Sequence, residues 1–198
     1  MKFLIATHNV KKRDELSRIL KPLGIDAVIA SDIGMEITDA EETGTTFAEN
    51  ARIKAESGCR ETGLPCIADD SGLCIDALDG RPGVYSARYA GGHDTPYSHK
   101  MKVLLDEMKD VPKEKRTARF KSSVCCIFPD GRELTVEGTC EGWIGFAPEG
   151  DGGFGFDPVF FVGDRSFATF TPEEKDAVSH RGNSLRLLCE KLPEFLKG

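Results

Sequence analysis

The stretch PCIADDSGLCID, residues 65–76, decides how the chain is read. Cys66, Ile67 and Ala68 form an apolar run of the kind that fills a buried strand. That run leads straight into Asp69, Asp70, Ser71 and Gly72. A buried strand is a costly place for paired carboxylates, because an ionised carboxylate taken out of water needs a neutralising partner. Two readings stay open on this stretch alone. Asp-Ser-Gly is good turn chemistry, with aspartate capping its own backbone and glycine taking positive φ; such a turn separates two short strands, PCIADD and LCIDAL. The other reading sends the carboxylates to a cation or a reacting water. On extended backbone neighbouring side chains point to opposite sides, so one aspartate can face a site while the other serves the turn or scaffold.

On either side of this stretch strands and helices alternate. FLIA (3–6) reads as a first strand, and Val10, Leu16, Ile19, Leu20 and Leu23 are spaced as one face of a helix ending near Gly24. IDAVIA (25–30) reads as a second strand, followed by an acidic stretch without pattern, MEITDAEETGT. Thr46 and Glu49 form a capping box that starts a helix running to about Gly63. DGRPGVYSARYAGG is too rich in glycine and proline for a helix and reads as a long ordered loop. TPYSHKMKVLLDEMKD reads as a helix, and RTARFKSSVCCIF and RELTVEGTCEGWIG, joined by Pro-Asp-Gly, read as a hairpin of long strands. Thr171, Pro172 and Glu174 mark another helix start. Residues 181–196 close the chain as a helix with Leu185, Leu188, Cys189 and Leu192 inward and Pro193 near its end. The expectation is a mixed α/β chain, with residues 1–198 forming a single two-lobed domain.

Composition narrows the function classes. With 39% hydrophobic and 30% charged residues, the chain has an ordinary globular make-up. No run approaches the roughly 20 apolar residues of a membrane span, and MKFLIATHNVKK turns polar too early for a signal peptide. Seven cysteines without a CxxC pair fit neither a zinc cluster nor a disulfide framework; small buried thiols in a reducing cytoplasm are expected. Cys125 and Cys126 are adjacent, so on a strand they face opposite ways. A net charge of −7 opposes general nucleic-acid binding, while leaving room for a small phosphate ligand met by a local cluster of cations.

Four groups of residues carry possible chemistry. Thr7, His8, Asn9, Val10, Lys11 and Lys12 lie between a strand and a helix, where free N–H groups and the helix dipole favour anions; the plainer alternative is that Thr7 or Asn9 caps the helix. Glu41 and Glu42 suit a magnesium site, which typically uses one or two carboxylates with phosphate oxygens, or are solvated surface charge. GDGGFGFDP (150–158) contains G-x-G-x-x-G, yet Pro158 and VFFV continue as extended chain rather than opening a helix, so the dinucleotide fingerprint is rejected. The loop suits close approach to a flat ligand, with Phe154 or Phe156 stacking and Asp157 accepting hydrogen bonds, or is a turn with core aromatics. Lys175, His180 and Arg181 can neutralise phosphates or form a surface patch. Neither a P-loop nor a G-x-S-x-G elbow is present in the sequence.

Taken together, T-H-N-x-x-K at 7–12, GTTFAENARIKA, ADDSGL, PGVYSARYAG, GGFGFDPVF and SHRG resemble, in order along nearly the whole chain, the inosine/xanthosine triphosphate pyrophosphatase family, in its bacterial form. The resemblance implies an elongated mixed sheet with flanking helices, two lobes around a central substrate cleft, and a cytoplasmic homodimer. It also implies magnesium-dependent cleavage of ITP, dITP or XTP to the monophosphate and pyrophosphate, clearing these purines from the nucleotide pool. Carried onto this sequence, residues 7–12 hold the triphosphate, with Lys12 as its cation. Glu41 is the loop carboxylate of the metal site. Asp70 is both metal ligand and general base, and Ser71 is a substrate contact. Phe154, Gly155, Phe156 and Asp157 bind the nucleoside, and Lys175, His180 and Arg181 complete the site. Phe156 departs from the tyrosine of many members, and His8 fills a variable position. A hydrolase of other nucleoside triphosphates would keep the phosphate residues and change the GGFGFDP pocket; a non-catalytic nucleotide-binding module would have no need of Asp70 as a base.

Overall fold

The computed structural model describes residues 2–7 and 9–197, so His8 lies outside the described residues. The expected mixed α/β class is found, with a sheet of order β2-β1-β3-β4-β5-β6-β7. The strands are β1 (Lys2–Ile5), β2 (Asp26–Val28), β3 (Cys66–Ile75), β4 (Thr117–Ile127), β5 (Glu133–Ile144), β6 (Phe160–Val162) and β7 (Arg165–Ser166). The helices are α1 (Val10–Leu20), α2 (Phe47–Thr62), α3 (Tyr97–Glu107), α4 (Pro172–Val178) and α5 (His180–Phe195). β1 pairs in parallel with β2 and β3, whereas β6 pairs antiparallel with β5 and β7.

Local chemistry sets the ends of several helices. In α2 the Thr46 hydroxyl accepts from Glu49 N while the Glu49 carboxylate accepts from Thr46 N. That reciprocal box closes two orphan donors of the first turn. Gly63, at φ 68°, ends the helix in the left-handed conformation that glycine adopts without a Cβ penalty. Thr171 and Glu174 repeat the box at α4, with Pro172 in the first turn.

One sequence expectation is overturned here. Asp-Ser-Gly is not a turn between two short strands: β3 runs unbroken from Cys66 to Ile75. Parallel pairing of Leu4 with Cys66 and Ile5 with Ile67 fixes the strand's start, and near-complete burial rewards extended backbone over a solvent-facing turn. The chain after Phe156 also differs from the extended path expected. Residues Asp157–Val159 make a single 3₁₀ turn before β6 begins, and no helix opens there.

The chain divides into two compact units, the first comprising Met1–Asp70, Ser122–Gly138 and His180–Gly198, the second Ser71–Lys121 and Thr139–Ser179. In the first, the sheet is covered on both faces. Leu16, Ile19 and Leu20 of α1 and Leu185, Leu188 and Leu192 of α5 pack with Phe3, Ile5, Ile67 and Cys126. Ala51, Ala55 and Cys59 of α2 pack with Leu4, Cys66, Ala68 and Cys125. Cys125 and Cys126 thus enter different cores, as alternation requires. All seven cysteines are free. In the second unit α3 covers a core of Leu73, Ile75, Phe120, Phe156, Phe160 and Phe167. Phe120 and Phe160 meet edge to face at 4.6 Å.

Candidate active site

β3 delivers its two aspartates to opposite faces, and each takes the cations of the helices covering its face. Asp69 Oδ2 accepts from Arg181 Nε at 3.1 Å and Nη2 at 2.9 Å. Lys12 Nζ stands 3.3 Å from the same oxygen. Arg181 Nη1 donates to Glu15 of α1, so α1, α5 and β3 are joined through one guanidinium. On the other face Asp70 Oδ1 accepts from Lys54 Nζ at 3.1 Å and Oδ2 from Asn50 Nδ2 at 3.3 Å. Lys54 also donates to Glu42 at 2.9 Å, and Asn50 Oδ1 accepts from Gly44 N at 2.8 Å. Both aspartates are buried, at 3% and 6% exposure.

The two carboxyls titrate differently. Burial works to raise the Asp69 pKa, but Arg181, Lys12 and Lys54 outweigh it and hold the group well below the usual carboxylate range. For Asp70 burial wins: its pKa is raised although Lys54 and Lys12 oppose the shift, with Glu42 adding to it. Lys12 is pushed down, first by burial and then by Lys54 and Arg181 against the pull of Asp69. Lys54 rises, because Asp70, Asp69 and Glu42 together overcome the effect of burial. A carboxyl kept poised beside cations, next to one kept firmly ionised, is the arrangement general-base chemistry needs.

Thr7 Oγ1 accepts from Asn9 N, and the Asn9 side chain caps α1 by accepting from Lys11 N at 3.0 Å and Lys12 N at 3.2 Å. The capping alternative therefore describes Asn9, while Val10 and Lys11 are exposed. Glu41 is exposed, and the structure sets its neighbour Glu42 against Lys54. His180 and Arg181 are buried at 4% and 1%, which overturns the surface-patch alternative for them. Their helix starts hard against β5: a Cβ at Gly138 would lie 2.2 Å from His180 O and 2.4 Å from Ser184 N.

In the second unit, Asp157 organises the glycine-rich loop. Its Oδ2 accepts from Phe154 N and Lys175 Nζ, both at 2.7 Å. The Lys175 ammonium also stands 4.6 Å from the centre of the Phe154 ring. Gly153 has to be glycine, since at φ 67° a Cβ would fall 2.1 Å from Asp157 Oδ2. Lys175 is buried at 6% exposure, not a surface cation. Phe156 is a core aromatic, 2% exposed and edge-on to Tyr97 at 5.2 Å. Phe154 and Ser71 are half-buried.

Sequence reading passed over Lys54, Asn50 and Glu15 as site residues, and of the acidic pair the resemblance singled out Glu41 where the structure sets Glu42 against Lys54. A spacing signal existed for each of the three passed over: Asn50 and Lys54 are four apart on α2 and so share one face. Glu15 follows Lys12 by three on α1 in the same way.

The fold is mixed α/β, and its centre is a strand bearing two buried carboxylates met by cations from three helices. The chain belongs to the Ham1 family, whose model matches residues 3–191. It is 48% identical over 193 residues to a dITP/XTP pyrophosphatase of Nocardia farcinica, covering 96% of this chain and 93% of that one. It is 46% identical over 195 residues to a dITP/XTP pyrophosphatase of Escherichia coli, covering 96% and 98%. Among solved structures it resembles a HAM1 protein from Coxiella burnetii, with TM-score 0.86 and 37% identity over 98% of this chain and 99% of the other. A nucleoside-triphosphatase / dITP/XTP pyrophosphatase from Mycobacterium abscessus matches with TM-score 0.75 and 46% identity over 95% and 98%.

Proposed function

We propose that this chain hydrolyses the non-canonical purine nucleoside triphosphates ITP, dITP and XTP to the monophosphate and pyrophosphate, and so keeps these bases out of DNA and RNA. The observation that carries the reading is the Glu42–Lys54–Asp70 array: a buried carboxyl raised in pKa and paired with Lys54, in a chain close in sequence to dITP/XTP pyrophosphatases. Asp70 orients and deprotonates the attacking water, which opens the phosphoanhydride and releases pyrophosphate. General-base help of this kind is typically worth about 10²- to 10⁴-fold. Lys12 and Lys54 neutralise charge on the triphosphate, and positioning with charge stabilisation supplies most of the catalysis in phosphoryl chemistry.

Magnesium belongs to the same proposal. The donors fit it: hard carboxylate oxygens of Asp70 and Glu42 already face one cationic centre, the Lys54 ammonium, with Glu41 exposed alongside. When bound, the ion would supply Lewis-acid neutralisation of the phosphate oxygens. Phe154, Gly155 and Asp157, with Lys175, bind the nucleoside, while Thr7, Asn9 and Ser71 contact the substrate. Arg181 commits Nε and Nη2 to Asp69 and Nη1 to Glu15, so its part is to hold Asp69 and, through it, Lys12. Selectivity rests on the 6-keto oxygen: a donor placed for it meets another donor in adenine, and unpaired buried groups can discriminate by about 10⁴-fold.

A homodimer in the cytoplasm completes the reading. A reducing compartment suits seven free cysteines, and among the described residues no helix is long and apolar enough to cross a membrane. A panel of ITP, dITP, XTP, ATP, GTP and pyrimidine triphosphates with pyrophosphate detection tests the proposal. Release from the first three at least 100-fold faster than from ATP is expected, and equal rates across the panel would overturn it.

A further inference from the structure

Tyr97 belongs to none of the candidate substrate-binding groups, yet the edge of its ring and its hydroxyl lie beside Gly155 of the glycine-rich loop. A Cβ at Gly155 would lie 3.6 Å from Tyr97 Cε1, 3.7 Å from Cζ and 4.0 Å from Oη. The ring is fixed from two other directions. Phe156 meets it edge-on, with centroids 5.2 Å apart and planes at 87°. Lys100 Nζ stands 4.7 Å from its centre. Lys100 is itself fully buried and anchored by donation to Ala87 O at 2.5 Å, so it is a cation committed to holding this ring and the 81–92 loop. Such clamping leaves Tyr97 little rotamer freedom, yet among the described residues its hydroxyl makes no hydrogen bond. Tyr97 is half-buried, and a held ring with an uncommitted donor beside this loop is preorganised to meet a ligand acceptor at little entropic cost.

We infer that the Tyr97 hydroxyl is a further substrate contact, hydrogen-bonding the nucleoside half of the bound nucleotide beside Gly155 and Asp157, with Lys100 as the residue that positions it. The inference rests on the proposed nucleotide substrate and adds a residue to its base-and-sugar side. Burial and the nearby Asp157 charge raise the Tyr97 pKa, so the hydroxyl stays a donor throughout the neutral range.

The test uses the whole protein and two probes that share no groups except phosphate: inosine monophosphate and inorganic pyrophosphate, each titrated calorimetrically against folded protein. Tyr97→Phe keeps the ring and deletes only the oxygen, so its melting curve should match wild type. Its dissociation constant for inosine monophosphate should rise about five- to tenfold, the loss expected for one ligand hydrogen bond, with pyrophosphate unchanged within twofold. Lys100→Met should weaken the monophosphate similarly, and Lys100→Arg should recover part of the loss. Unchanged monophosphate binding in Tyr97→Phe, or equal weakening of both probes, overturns the inference. Wild-type protein that binds the monophosphate but releases no pyrophosphate from ITP would overturn the proposed activity and leave this contact standing.

Discussion

Asp69 and Asp70 are adjacent on one strand, yet Asp69 answers to Arg181 and Lys12, and Asp70 to Lys54. The strand's alternation separates them, and the helices on the two faces give them opposite titration behaviour.

For Asp70 the first consequence is loss of activity. Asp70→Asn should abolish turnover while leaving nucleotide binding within about tenfold, because shape is kept while charge and base are lost. The same change should raise the melting temperature at neutral pH. A raised folded-state pKa means that the stability linked to this group is present below the unfolded pKa of about 4 and is lost as pH rises through the folded value. The gain on removing the charge should therefore be largest near pH 8 and fade as pH approaches 4. A thermal melt series of both proteins across that range checks the sign, and a lower melting temperature for Asp70→Asn at pH 8 would contradict it.

Asp69 carries the reverse expectation. Its pKa is depressed in the fold, so its stabilisation is present above about pH 4 and drains away as pH falls further. Asp69→Asn leaves the buried Arg181 and Lys12 short of a counter-charge, a loss of about 3–5 kcal/mol for a broken buried pair. Wild type and variant should converge in melting temperature under acid conditions, which calorimetry at several pH values measures directly.

The carboxylates of the acidic loop can be told apart by metal titration. Activity should vanish in excess chelator and return with magnesium. Glu42→Gln should raise the magnesium concentration for half-maximal rate more than Glu41→Gln does, because Glu42 shares Lys54 with Asp70. The opposite order would assign the role to Glu41.

Phe154 and Lys12 should divide the substrate between them. Phe154→Ala should weaken inosine monophosphate by about 1–3 kcal/mol, the usual aromatic–base stacking loss, and leave pyrophosphate nearly untouched. Lys12→Ala should weaken pyrophosphate and every triphosphate alike, without changing the ratio of ITP to ATP hydrolysis. Equal effects of Phe154→Ala on both ligands would remove the stacking role.

Gly138 offers a test of how α5 is seated. Adding a methyl group there meets the His180 carbonyl and the Ser184 amide, backbone atoms that cannot swing aside. Gly138→Ala should cost about 1–3 kcal/mol of stability by overpacking and lower activity per folded molecule, since Arg181 moves with the helix. Urea denaturation paired with a rate assay separates the two effects.

What could be read in advance tracks how local the cause is. The capping boxes at Thr46 and Thr171, the stop at Gly63 and the opposed Cys125 and Cys126 depend on neighbours within a few residues, and each was legible. The unbroken course of β3 was not, because Asp-Ser-Gly has genuine turn chemistry that long-range pairing and burial override. The ion-pair partners were hidden for the same reason: Asp69 and Arg181 are 112 positions apart, and nothing in either's vicinity announces the other. Phe156 was legible as an aromatic beside a glycine turn, but its place in the core depends on Tyr97, from a distant helix.

The continuity of β3 also bears on which changes in chain length the protein can tolerate. Side chains on a strand repeat every two residues, so losing or gaining one residue between Ile67 and Asp69 would send each aspartate to the other's helix. Asp69 would then meet Lys54, and Asp70 would be locked by Arg181 with its proton-accepting capacity suppressed. The composition would be nearly intact and the base gone. Insertions are tolerable in exposed loops such as the turn between β4 and β5, but between Ile67 and Asp69 the count is as much a part of the chemistry as the carboxylates themselves.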